Sequence, residues 1–275
     1  MSNLVQSLQS MSIRDLYLSR CQLVDNQPKP VFWQPKPLQY HPVCLYSDTT
    51  KQGDALAEAM VRRLIGLGLE LEIEVGTMVL SGLQQELPKA DSELVLLLKS
   101  NSADEARHYN GFQYAKQTYG CDTNAELQQL AKDWKAESDK QHPIHIAGVL
   151  EVGVFLISLG LLRIVGSPSL SRLAMAIAED EFRHVQTNQA VSSGLGFWSN
   201  ASQHTNLIDA TLDWIWGEGL NDAPQALTLD NLKRFSRELL TDLSCPEFDK
   251  LTWYSFHHLP FELANDYIYS DKCLE

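Results

Sequence analysis

From about residue 53 onward, apolar positions recur in long runs at helical spacing, and no strand-like alternation of useful length interrupts them. The pattern predicts helix A over residues 54–87, stopped by Pro88, and helix B over 91–119, ended by Gly120. A more polar stretch, 121–142, follows, and its Thr123 and Glu126 have capping-box spacing for a helix of its own. Helix C opens at Pro143, a favoured first-turn residue, and ends at Gly166. Ser167 and Pro168 start helix D, which runs to about residue 193, before Gly194 and Gly196. Beyond residue 200, two or three shorter helices are expected around Trp214, Trp216 and Trp253, packed outside the rest. The fold class is therefore all-α.

Loop lengths set the topology. The A–B and C–D connections are short, so each pair forms an antiparallel hairpin, whereas about twenty residues separate B from C. At 1.5 Å per residue a helix of that length spans about 30 Å and returns the chain along a four-helix bundle. Helix C is apolar nearly all round from Ile146 to Leu162, which invites comparison with a membrane span. It is short for one and carries Glu151 at its middle, so the centre of a bundle is the preferred place. Residues 1–52 differ in texture. Five of the eleven prolines (Pro28, Pro30, Pro35, Pro37 and Pro42) fall there, among Phe32, Trp33 and Tyr40. That density prevents helix and predicts an extended arm laid across the bundle. The expected organisation is this arm, the bundle at 53–195 and C-terminal helices at 196–275, all within one domain.

The chemistry lies in a repeat. Asp104-Glu105-Ala106-Arg107-His108 returns seventy-six residues later as Asp180-Glu181-Phe182-Arg183-His184. Glu and His three apart project from one helix face, so each copy offers a carboxylate beside an imidazole. Upstream, Ile73-Glu74-Val75-Gly76 matches Leu150-Glu151-Val152-Gly153, and Glu74 and Glu151 stand 31 and 30 residues before Glu105 and Glu181. Counted from their own turns, all four carboxylates reach a similar height, roughly 21–25 Å along the bundle. Two Glu-x-x-His pairs plus two further Glu make the ligand set of a carboxylate-bridged dimetal site.

Charge supports that reading. Four ionised Glu and two neutral His balance two divalent ions, while an isolated carboxylate in the apolar run around Glu151 would be costly. Mixed oxygen and imidazole ligation suits iron or manganese better than structural zinc. Glu74 and His108 are expected on one ion and Glu151 and His184 on the other, with Glu105 and Glu181 bridging. Asp104 is expected to hold the second ring nitrogen of His184, and Asp180 that of His108, with Arg107 and Arg183 neutralising the aspartates. His142 and His145 are too far from Glu151 in height to ligate and read as loop histidines.

The whole chain, 275 residues with 44% hydrophobic and 21% charged positions, has ordinary soluble composition. Its net charge of −13 argues against nucleic acid as a partner. Five scattered cysteines suit reduced thiols, and the N-terminus lacks a signal-peptide pattern, so a cytoplasmic location is expected.

The doubled Asp-Glu-x-Arg-His with its two upstream Glu resembles the ferritin-like di-iron carboxylate oxygenase and oxidase superfamily. Multicomponent monooxygenases, acyl-carrier desaturases, aldehyde-deformylating oxygenases and ribonucleotide reductase small subunits belong to it. The resemblance covers residues 54–193 and implies a ferritin-like bundle holding two iron ions, or a manganese–iron pair, with O2 as co-substrate. It implies an external electron donor of ferredoxin or flavodoxin type, and allows a homodimer. The radical-forming subunits usually carry a Tyr one turn after the first ligand His, where this chain has Phe112. Many monooxygenases and desaturases place a Thr one turn after the helix-C Glu, where this chain has Val154 and Phe155. Thr77, after Glu74, is the hydroxyl in the matching place of the first half. The string Glu-Ala-Arg-His-Tyr also looks like that of a tRNA-hydroxylating relative, a substrate the acidic charge speaks against. Glu105 and Glu181, with Phe112 and Phe155 as an apolar wall, form the expected catalytic set. The expected activity is an O2-dependent oxidase or monooxygenase acting on a small or lipid-like organic substrate. A ferroxidase or peroxide scavenger, or a metal-stabilised binding protein, are the alternatives.

Overall fold

A computed structural model describes residues 55–86, 92–194, 203–221 and 228–243. The expected N-terminal arm, Trp253 and the A–B turn lie outside the described residues. Every regular element among those described is helical. These are α1 (Ala55–Glu86), α2 (Ser92–Tyr119), α3 (Ala125–Lys140), α4 (Pro143–Leu150), α5 (Leu156–Val165), α6 (Pro168–Gly194), α7 (Thr205–Trp216) and α8 (Leu229–Leu243). Between α4 and α5 the chain does not break. Residues Glu151–Phe155 form one π turn, so Pro143 to Val165 is a single rod with one widened turn at Glu151.

α1 packs against α2 along its length, the α4–α5 rod packs against α6, and each pair also touches the other. Through its middle, helix α1 buries apolar side chains round most of its circumference (Leu64, Ile65, Leu67, Leu71, Val75, Val79), and its exposed residues lie toward its two ends. The rod from Pro143 to Arg163 is long and apolar enough to cross a membrane, yet its most apolar stretch is wholly buried inside the protein. It is the central core element. Close approach depends on missing side chains: a Cβ on Gly68 would fall 2.4 Å from the Phe112 ring, and one on Gly82 2.3 Å from Ile144.

Helix α3 bridges the two pairs. Its cap differs from the expected Thr123–Glu126 box: Asn124 is the N-cap, and its Oδ1 accepts the Leu127 N–H at 2.9 Å. The same oxygen accepts Trp214 Nε1–H from α7 at 3.1 Å, so tertiary packing selects the cap. At the next turn, Ser167 receives the Leu170 N–H and pairs with the Tyr119 hydroxyl at 2.6 Å. Helices α7 and α8 pack on each other and on the π turn of the rod, and α7 also packs on α3, where Trp134 Nε1–H donates to Thr211 at 3.1 Å. Each fully buried large apolar side chain in this assembly contributes about 1.5–3 kcal/mol.

Candidate metal centre

Four helices bring six groups together at mid-height. Glu72, Glu105, His108 and Glu181 form one set, and Glu105, Glu151, Glu181 and His184 a second, with the ligand atoms of each set within 4.8 Å of one another. Either set could hold a metal ion. All six residues are buried, and five of them (Glu72, Glu105, Glu151, Glu181 and His184) have no exposed surface.

The two central carboxylates divide their oxygens between the histidines. Glu105 sets Oε2 3.5 Å from His108 Nδ1 and Oε1 2.8 Å from His184 Nδ1. Glu181 sets Oε1 3.2 Å from His108 Nδ1 and Oε2 3.5 Å from His184 Nδ1. Glu72 Oε2 stands 3.5 Å from the first ring and Glu151 Oε1 4.0 Å from the second. The rings lie 5.7 Å apart, centroid to centroid.

Each histidine is held from behind by the opposite hairpin. His108 Nε2 lies 3.2 Å from Asp180 Oδ2, and His184 Nε2 lies 3.2 Å from Asp104 Oδ2. An N–H directed to the aspartate leaves the Nδ1 lone pair facing the cluster, which is the tautomer a metal ligand needs. Arg107 pairs with Asp104 and stands 3.6 Å from Asp180, so one guanidinium serves both aspartates. The Arg183 side chain lies outside what is described.

One expected ligand is replaced. Glu72, not Glu74, completes the first set. Two residues along an α-helix turn the side chain through about 200°, so the two glutamates cannot serve the same face. Glu74 is also buried, and Thr77, whose hydroxyl had seemed a counterpart to the missing helix-C Thr, spends it on the Glu74 carbonyl of its own helix at 2.8 Å. A further residue escaped the sequence reading. Asn188, fully buried, donates its Nδ2–H to Glu151 Oε2 at 2.8 Å. Phe112 and Phe155 are both buried, Phe112 against Gly68 one turn before Glu72.

The polar inventory fits metal ions. Both oxygens of Glu72, Glu105 and Glu181, Oε1 of Glu151 and Nδ1 of both histidines have no hydrogen-bond partner, and each of these residues contributes an atom to one or both sets. Buried polar atoms are ordinarily paired, and each charge taken out of water costs several kcal/mol. Nine such ligand atoms, clustered in the two sets, could be satisfied by metal ions. Without metal, protons would take that role. Burial opposes charge on His184, but Glu105 and Glu181 outweigh it and raise the imidazole to about 10. Against the same burial, Glu72 and Asp180 raise His108. Burial raises Glu72 and Glu151, which therefore favour their neutral forms. On Glu105 burial is overridden by His184 and His108, which hold its carboxyl below the usual range. Divalent ions entering this site would displace those protons.

A separate imidazole cluster lies at the start of α4. His145, expected in a loop, is fully buried in the first turn of that helix, with its ring edge-on to His204 at 5.9 Å. His142 Nε2 stands 3.0 Å from Glu86. Neither histidine belongs to the two ligand sets.

Searches of protein-family models, of curated proteins and of solved structures find no match to this chain.

Proposed function

We propose that the chain folds as a ferritin-like bundle, binds two iron ions (or a manganese–iron pair) at the Glu/His cluster, and acts as an O2-dependent oxidase or monooxygenase. The proposed substrate is a small or lipid-like organic molecule. The observation that carries the metal reading is the divided carboxylate. Glu105 and Glu181 each turn one oxygen to either histidine, as a pair of bridging ligands would. Oxygen and imidazole donors without thiolate suit iron or manganese.

In this reading Glu72 and His108 terminate one position and Glu151 and His184 the other. Bound as a ferrous pair, iron supplies the reducing electrons and the activation of O2. The chain's own contribution is placement and exclusion. Asp104 and Asp180 fix the tautomer of the opposite histidine. Asn188 holds one oxygen of Glu151 and leaves the other directed inward. The apolar shell of Phe112, Val154, Phe155 and Ile177 keeps bulk water from the carboxylates and favours an apolar part in the substrate. An external one-electron donor, of ferredoxin or flavodoxin type, would restore the reduced state after each turnover.

The test is a single exposure of anaerobically loaded ferrous protein to 18O2, with toluene and decanoic acid as probes. Incorporation of 18O into either probe, or its dehydrogenation, supports the oxygenase or oxidase. Repeated oxidation of added Fe2+ with neither probe altered would establish a ferroxidase instead. A loaded centre that never consumes O2 would leave the metal with a structural role.

A further inference from the structure

The widened turn at Glu151 has a buried attachment from a distant part of the chain. Helix α8 buries Leu232, Leu239 and Leu240, and within that apolar stripe stands Ser236, with no exposed surface. A polar residue at a core position needs a partner. Ser236 finds it outside its own helix: its hydroxyl donates to the Gly153 carbonyl at 2.8 Å, across 83 residues of sequence. Gly153 lies inside the π turn. Its missing side chain admits Ile208 of α7, whose Cδ1 would fall 2.7 Å from a Cβ there, while Ser236 Oγ would stay at ordinary contact distance, 3.5 Å. Within the rod, Ser158 adds a second hydroxyl on the Val154 carbonyl at 2.7 Å.

The π turn matters because it inserts one residue into the helix. Leu156 N–H returns to the Glu151 carbonyl, five residues back in place of four. Relaxation to α geometry would rotate the two ends of the rod against each other by about 100°. Both ends are fully committed: α4 and α5 bury nearly every side chain, and Glu151 must face His184. The residue that absorbs the mismatch is therefore also the one that sets where Glu151 points.

We propose that Ser236, seated by Ile208 and Gly153, is a positioning residue that fixes the π turn and through it the Glu151 carboxylate. This makes the C-terminal helices part of the metal centre on its His184 side, whereas on the Glu72 side the carbonyl two residues on, that of Glu74, accepts from Thr77 of its own helix. The inference rests on the metal-binding reading above and on nothing about the reaction.

Anaerobic Co2+ titration of the full chain, followed by visible absorption, tests it. Wild-type protein is expected to take two ions. In Ser236→Ala one ion keeps its affinity and its spectrum, while the other binds about tenfold more weakly with altered bands. Ser236→Thr, which retains the hydroxyl, recovers the second ion. Unchanged titration in Ser236→Ala, equal weakening of both ions, or a Thr variant no better than Ala would overturn the proposal. Should Ser236→Ala not fold, Ile208→Val takes its place by withdrawing the methyl that seats on Gly153. The same one-sided weakening is expected, and an even or absent effect counts against the clamp. A wild-type chain that binds no Co2+ would instead sink the metal reading itself.

Discussion

In the first hairpin Glu72 rides an unbroken α-helix, and the residue one turn beyond the histidine is Phe112, packed on Gly68. In the second hairpin Glu151 begins a π turn, and the matching residue is Asn188, whose amide takes one of the Glu151 oxygens. The five letters Asp-Glu-x-Arg-His are shared, and so is the cross-brace from aspartate to opposite histidine. What differs is the support of the upstream glutamate. One is left with both oxygens unpaired, and the other is bonded at its carboxylate and clamped at its backbone. A duplicated motif thus sits in two unlike settings, and the two proposed metal positions should differ accordingly.

The largest effect would come from the carboxylates common to both halves. Glu181→Ala or Glu105→Ala removes a ligand from each position, so iron content after anaerobic loading should fall from two per chain toward none. Retention of one tightly bound ion, read by metal analysis, would show that the centre is not bridged. Next come the cross-braces. Asp104→Asn should weaken the His184 position and Asp180→Asn the His108 position, each by about 10–100-fold in metal affinity. Competition with a chromophoric chelator would resolve which step moved, and identical behaviour of the two variants would erase the distinction drawn here.

Asn188→Leu should have a smaller and one-sided effect, a several-fold loss confined to the Glu151 position. Phe112→Leu, at the matching place, should leave both metal affinities alone and cost about 1 kcal/mol of stability through looser packing on Gly68. Denaturant unfolding beside a Co2+ titration separates the two outcomes.

No effect on metal binding at neutral pH is expected from the imidazoles outside the repeat, but they should shape stability in acid. Burial lowers His145 to about 4, assisted by His204 and His142, while burial also lowers His204 against the pull of Glu137. A depressed folded pKa means that the unfolded chain binds the extra proton first. The His145 contribution is therefore complete above about pH 6.5 and is lost as pH falls toward 4, to the extent of about 3 kcal/mol. Unfolding free energies measured between pH 7 and 4.5 should fall more steeply in wild type than in His145→Leu. Parallel curves would remove His145 from the account.

Much of this was legible in the sequence. Helix boundaries followed from Gly120, Pro143, Gly166 and Pro168, because those residues limit a helix by backbone geometry whatever packs around them. Glu105, His108, Glu151, Glu181 and His184, and the crossed aspartates, followed from spacing on a helix face. Glu72 did not. Helix α1 carries Glu70, Glu72 and Glu74 within five residues and is apolar on all sides, so hydrophobic periodicity cannot say which one faces inward. The matching Glu-Val-Gly letters selected Glu74, but the second copy of those letters lies in a π turn whose phase differs from that of α1. Height along the bundle would have served better: Glu72 stands 16 residues before Pro88, as Glu151 stands 16 before Ser167. Ser236 had a visible signal too, a lone hydroxyl in the apolar stripe of Leu232, Leu239 and Leu240, though nothing in the letters named its partner.

The measurement that bears most directly on the centre is iron stoichiometry in three matched proteins: wild type, Glu72→Ala and Glu74→Ala. After anaerobic loading and gel filtration, two ions per chain are expected in wild type and in Glu74→Ala, and no more than one in Glu72→Ala. Two ions retained in Glu72→Ala, with loss in Glu74→Ala, would contradict the assignment of α1 to the site.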